Sequence, residues 1–372
     1  MKINFWTSTE YGGFMNALMS ELRNNGIEAR QRFNISEATY RSARSALQRL
    51  LLRVRQYILY PIQLAVHLFF EVFKGNTRCP VVVATNTFFA PLLATFLNNR
   101  VVHLVYDLFP EAMIHSGKWQ EGQFRVKFFR WLVGMSLKRS ATNIFLGERL
   151  KKYVESIHGS LPNSEIIAVG ADEAPFTKLE SLEDSEKINV LYCGNFGNMH
   201  ESETLFDAWR SGIDNTFRFL FHCSGPKRKD LELFKNKNEA LLGGRLLVNQ
   251  GLSNAAWVRV MQSSQIALVT MSEGSQQVVM PSKTYSAMMA GQAILAVAPE
   301  DSDLVDLIKA ADCGWWVRPG DVQGFQECLI EIHSNQDLLL EKRQNAFRVA
   351  HEQFGQGCLA KQWARVFESL QK

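Results

Sequence analysis

Nothing in this chain marks a protein held together by disulfides or zinc. Its six cysteines (Cys79, Cys193, Cys223, Cys313, Cys328, Cys358) are scattered, with no C-x-x-C pair. They read as reduced core thiols of a cytosolic protein. Charge of one sign is scarce as well. A formal net charge of +4 over 372 residues leaves no footprint for nucleic acid, and no nucleic-acid motif accompanies it. Low-complexity tracts and short repeats are missing, which excludes solenoids and long disordered linkers. Long apolar runs are nearly missing: the window QYILYPIQLAVHLFFEVF at 56–73 is interrupted by Pro61, His67 and Glu71, a marginal spanning candidate at best. The opening MKINFWTSTEYGG reads as a strand and a glycine turn, not as a signal peptide. Three fingerprints are lacking too: G-x-x-x-x-G-K-[ST], G-x-S-x-G, and G-x-G-x-x-G followed by a ribose-binding acid. A nicotinamide or flavin enzyme is therefore weakly supported.

What is present is alternation. KINFWT, VVVAT (81–85), VVHLVY (101–106) and NIFLG (143–147) read as strands, with helical patterns such as FMNALMSELRNNG between them. After 168–187, rich in small and charged residues, the alternation resumes with INVLYCGN, FRFLFHCSG, RLLVNQG, IALVTM and AILAVA. The length suggests two domains. The pattern predicts two doubly wound α/β domains facing each other across a cleft. The expected boundaries are 1–170, a linker 171–187, 188–354, and a final helix 355–372 returning to the first domain.

Two glycine turns sit where strands end, Gly12-Gly13 and Gly194-Asn195-Phe196-Gly197. Glycines there let a backbone approach a phosphate or sugar, although an ordinary tight turn explains either pair alone. In VVMPSKTYSAMMAG (278–291) a turn leads into a short helix opened by Ser282 and stopped by Gly291. Lys283 is odd in that first turn, where an anion is preferred. Either it is a tolerated exposed lysine, or it and the free N–H groups share a phosphate.

These pieces in this order resemble the retaining GT-B glycosyltransferases of family 4, in particular bacterial surface-polysaccharide enzymes with a P-S-K signature. The resemblance rests on YGGFMNALMSELRNNGIEAR, VYDLFPE, VGADEAPF, YCGNFGNMHESETLFDAW, VVMPSKTYSAMMAGQAILAV and CGWWVRPGD. It implies two Rossmann-like domains, a nucleotide-sugar donor (a UDP-sugar) held by the second, a lipid-linked saccharide acceptor, and no cofactor or metal. The donor set it implies is Gly13, Gly194, Asn195, Gly197, Asn198, Pro281, Ser282, Lys283, Thr284 and Ser286. Gly12, Asp107 and Glu111 fall on the acceptor side, with a cap or salt bridge an equal account of the two acids. Lys283 and Asp107 are the catalytic candidates. The sequence departs from the family where relatives carry an E-x7-E pair: Val278 and Ser286 stand there. The Arg and Lys that often follow the first glycine turn of the second half are also absent, so Lys283 is the replacement for the diphosphate. A catalytically silent subunit that binds a partner enzyme is the rival, and homo-oligomerisation stays open.

Charge placement adds a partner. Basic residues interleave with aromatics in 41–74 and 118–139, each segment holding a single acid. Arg49, Arg53, Arg125, Lys127, Arg130 and Trp131 suit an anionic bilayer, placing the protein peripherally at the inner face of the cell membrane. The bland alternative is a solvated basic face over core aromatics.

Overall fold

The computed structural model describes residues 1–42, 45–75, 79–85, 87–106, 108–181, 187–278 and 280–371. The chain forms two compact units. One comprises Met1–Ala168 with Gln356–Lys372, the other Val169–Gly355.

The first unit is built on a six-stranded sheet: β1 (Lys2–Thr9), β2 (Glu28–Ile35), β3 (Val81–Ala84), β4 (Val101–Val105), β5 (Thr142–Phe145) and β6 (Ser164–Ile166). The spatial order is β2-β1-β3-β4-β5-β6, with parallel pairing throughout. The apolar runs of β3 and β4 are buried along their whole length, as strands covered on both faces must be. The final helix Gln356–Ser369 belongs to this unit because of its aromatics. Trp363 and Phe367 pack edge-on against Phe5 of β1, with ring centroids 5.1 and 6.0 Å away.

The second unit repeats the plan: β7 (Ile188–Asn195), β8 (Phe217–Ser224), β9 (Leu246–Asn249), β10 (Ile266–Thr270), β11 (Ala293–Val297) and β12 (Gly314–Val317). Its order is β12-β11-β10-β7-β8-β9, again all parallel. Here β7 leads to β8 and β9 on one side, and β10 to β12 continue on the other. The direction of winding switches between β7 and β10. In open parallel sheets the crevice beyond the carboxyl ends at such a switch is where ligands bind. In the first unit the switch lies between β1 and β3, beyond which Gly12 follows.

Candidate functional site

The residues beyond the β7/β10 switch form one cluster. β7 ends on Gly194-Asn195, and the Gly194 φ of +131° is open to glycine and strained for other residues. The turn that follows is locked to the end of β8. Phe196 N–H donates to Ser224 O at 2.7 Å, and Gly225 (φ +103°) is pressed so close that a Cβ there would stand 2.5 Å from Asn195 Oδ1 and 2.6 Å from Phe196 O. Gly194, Asn195 and Asn198 are exposed, Gly197 half-buried. Across the switch, Ser272 N–H donates to Met199 O at 3.0 Å. His200 Nδ1 lies 2.8 Å from Thr270 O. A carbonyl only accepts, so Nδ1 carries the hydrogen. Burial, then the charge of Lys283, pushes the imidazole down to about 3. His200 is a neutral tie between the loops after β7 and β10.

Lys283 reaches into this cluster from the helix Lys283–Met289. Its Nζ donates to Tyr192 Oη at 2.5 Å and stands 3.9 Å from the Tyr192 ring centroid. Tyr192 in turn donates to Asn195 O at 2.8 Å, and burial drives its phenol pKa upward. Burial lowers Lys283 from its ordinary 10.5 to about 7, because a π-face and a neutral hydroxyl do not replace lost water as a carboxylate would. Beneath the ammonium lies a pocket of about 80 Å³ lined by Cys193, Trp257, Met261 and Ser286, among others. It is too small for a nucleotide, since ligand pockets run to about 300 Å³ and more.

A second cation, missed from the sequence, approaches from the loop after β8. Lys227 Nζ donates to His200 O and to Ser202 Oγ at 3.2 Å, while its N–H bonds Phe196 O at 3.2 Å. Neither Lys227 nor Lys283 makes an ion pair among the described residues. The signal available was Gly225, just after β8, beside Gly194 near the end of β7, so that the loops of two paired strands had to meet.

The rest of the P-S-K segment differs from expectation. Ser282 is exposed, has helical backbone angles (φ −57°, ψ −24°) and makes no side-chain cap. Thr284 is fully buried, so its side chain cannot meet a ligand from solvent. The N–H groups of Thr284 and Tyr285 are used locally, donating to Pro281 O at 3.0 Å and Ser282 O at 3.3 Å. A helix of seven residues with the Thr284 and Tyr285 donors in use offers less to an anion than a full helix end, and the cation is the more prominent feature of the candidate site. Pro281 is buried, Ser286 half-buried beside Lys283, and Val278 is buried in the core.

In the first unit, Gly13 opens the helix Gly13–Asn24. A Cβ on Gly12 would meet Glu37 Oε2 at 2.3 Å. Asp107 lies outside the described residues. Glu111 is not at an open edge: it is wholly buried, with one oxygen 2.7 Å from Arg130 Nε and the other without a hydrogen-bond partner among the described residues. Arg130 also pairs with Glu121, which removes it from a lipid-facing set and makes it the counter-ion of a buried acid. Arg49, Arg53, Arg125, Lys127 and Trp131 are exposed, while Arg44 lies outside the described residues.

No family model matches the chain. It is 22% identical over 315 residues to "Probable glycosyltransferase WbjE" of Pseudomonas aeruginosa, covering 80% of this chain and 76% of that one. The crystal structure of Anabaena HepE in complex with UDP superposes with a TM-score of 0.72 at 14% identity, covering 99% of this chain and all of that one. WaaG, a glycosyltransferase involved in lipopolysaccharide biosynthesis, superposes with a TM-score of 0.66 at 14% identity, covering 98% and 99%. The chain has the two-domain α/β fold of the GT-B glycosyltransferases, with two parallel six-stranded sheets and flanking helices.

Proposed function

We propose that this protein is a glycosyltransferase that moves a sugar, with retention, from a UDP-sugar to a lipid-linked saccharide in surface-polysaccharide synthesis. The observation that carries the reading is Lys283, a half-buried cation at the β7/β10 switch that has no ion-pair partner among the described residues, with a second lysine, Lys227, on the adjoining loop. A buried charge without a counter-ion is costly, and a diphosphate supplies that counter-ion. The relative of similar sequence is named as a glycosyltransferase and a neighbour in fold is described with UDP bound.

In the transfer, the bond from the sugar C1 to the β-phosphate oxygen breaks. Negative charge collects on that oxygen while an acceptor hydroxyl forms the new glycosidic bond and gives up its proton to the departing phosphate. Lys283 would stabilise the departing charge directly, and Gly194 and Gly197 would let the turn backbone approach the nucleotide. Two lysines provide positive charge at the diphosphate, so the reaction is expected to proceed without a metal. The acceptor, being lipid-linked, would be met at an anionic membrane surface at the cytoplasmic side, through Arg49, Arg53, Arg125, Lys127 and Trp131.

Incubation with UDP-sugars and lipid-linked saccharides, followed by NMR of the product's anomeric configuration, tests this. Transfer with inversion would refute the retaining mechanism. The silent-subunit reading draws support from Val278, which is buried where a family acid would face the donor; binding of no UDP or UDP-sugar at all would favour it.

A further inference from the structure

The first unit carries a large apolar surface that its own fold leaves open. The helix Ala46–Val54 starts on a complete capping box, Ser45 with Gln48, yet has no buried residue. Leu47, Leu50 and Leu51 are 65, 57 and 54% exposed. An apolar helix side left facing water gains none of the burial that ordinarily stabilises a helix in a protein. After a π-helical turn, Arg55–Leu59, the helix Tyr60–Phe73 anchors Tyr60, Leu64 and Leu68 in the core beside Trp6. Its opposite side is just as apolar: Phe69, Phe70 and Phe73 are 50, 56 and 73% exposed. The helix Phe124–Arg139 adds Phe124, Phe128 and Trp131, at i, i+4 and i+7 on one stripe, 83, 42 and 57% exposed.

These stretches are contiguous. Ring contacts run from Tyr57 in the π-helical turn to Phe88 (6.5 Å), Phe129 (5.1 Å), Phe128 (5.4 Å) and Trp131 (6.0 Å). Soluble monomers rarely leave so much apolar surface in one place. The rim is basic: Arg49, Arg53, Arg125 and Lys127 border the face, while its acids Glu71 and Glu121 are paired with Lys74 and Arg130. A second copy of the chain would bring two basic rims together, which is unfavourable. An anionic bilayer matches both the apolar centre and the cationic rim. The bilayer would not be crossed. Tyr60, Leu64 and Leu68 hold one side of the segment in the unit's own core, and no described helix is long and apolar enough to span.

We propose that 46–73 and the Phe124–Trp131 stripe form a monotopic insertion face that sinks into the acyl layer of an anionic membrane. This deepens the membrane partner of the proposed function from surface attraction to insertion, and rests on that reading only for the lipid-linked acceptor. Attachment held by apolar burial persists when salt screens the charges.

The test uses the full chain with phosphatidylcholine vesicles doped with phosphatidylglycerol, some with bromine in the acyl chains. Wild type should stay bound in about 1 M salt, where the Debye length is about 3 Å. The brominated lipid should quench a part of the tryptophan emission that Trp131→Phe lacks while still binding. Replacing Leu50, Leu51, Phe70 and Phe73 together by Gln should weaken vesicle affinity at least about tenfold, with the circular dichroism unchanged. Release of wild type by salt without quenching would overturn insertion. So would dimerisation in lipid-free buffer that the fourfold variant abolishes, with no vesicle binding, since the face would then join two copies. UDP affinity measured alongside separates the claims: a chain that inserts but binds no UDP supports insertion and sinks the proposed function.

Discussion

The ammonium of Lys283 rests on Tyr192, 2.5 Å from its hydroxyl and 3.9 Å from its ring centroid. Aromatic face and phenol together hold a cation in place while leaving its charge largely uncompensated, and the lowered pKa of about 7 expresses that imbalance. Such a group is ready to take up a proton when an anion arrives.

A pH dependence follows from that poise. Binding a diphosphate favours charged Lys283, so UDP affinity should be level just below pH 7, while the phosphate stays ionised, and fall above it. The limit is about tenfold per pH unit. Calorimetry in buffers of different ionisation heat should register proton uptake in the same window. The free protein has the opposite trend. Its folded-state lysine pKa lies below the unfolded value, so the unfolded chain holds more protons between about 7 and 10.5, and stability gains from this group as pH rises through that range. A level affinity profile in wild type above pH 7 would show that another group meets the anion.

Gly225 should tolerate no side chain. Its positive φ and the 2.5 Å approach to Asn195 Oδ1 act together, so Gly225→Ala should cost on the order of 1–3 kcal/mol in thermal unfolding and displace the turn that abuts it. Gly244→Ala, at φ +73° with nothing within 4 Å, carries the backbone strain alone and should cost less. Equal melting temperatures for the two would remove the close approach from the account.

Arg130 should prove structural. Arg130→Gln leaves the buried Glu111 carboxylate without its counter-ion, a loss on the order of 3 kcal/mol. Adding Glu111→Gln removes the stranded charge and should restore most of it. Denaturant titrations of both variants decide this; a single variant as stable as wild type would return Arg130 to the solvated rim.

Alternation of apolar runs was enough to read the doubly wound plan, because β3, β4, β10 and β11 are buried on both faces and so appear as unbroken apolar strings. The edge strand β2, EARQRFNI, escaped because its polar residues hide the pattern, and β6 is only three residues long. At the site, Lys283 and the glycine turns were visible as oddities of local chemistry. Tyr192 was not, since a tyrosine inside a buried strand looks like core. Lys227 was hidden because its contact depends on β7 pairing with β8. Ser282 holds the expected N-cap position without a side-chain cap, and the burial of Thr284 depends on packing that the local sequence does not show. In 46–73 the basic residues and aromatics drew the eye; the exposure of Leu47, Leu50 and Leu51 beside them is a tertiary fact.

Calorimetric titration of wild type and Lys283→Ala with UDP and with uridine tests the placement of the diphosphate most directly. One charged hydrogen bond is worth about 1.5–3 kcal/mol, so the variant should bind UDP roughly ten- to a hundredfold more weakly. Uridine should bind both equally, because the lost contact is to phosphate. Folding stability should be unchanged or slightly higher, since a poorly solvated cation has been removed. Equal UDP affinity in the two proteins would contradict the account and return Lys283 to the role of a tolerated lysine stacked on a tyrosine.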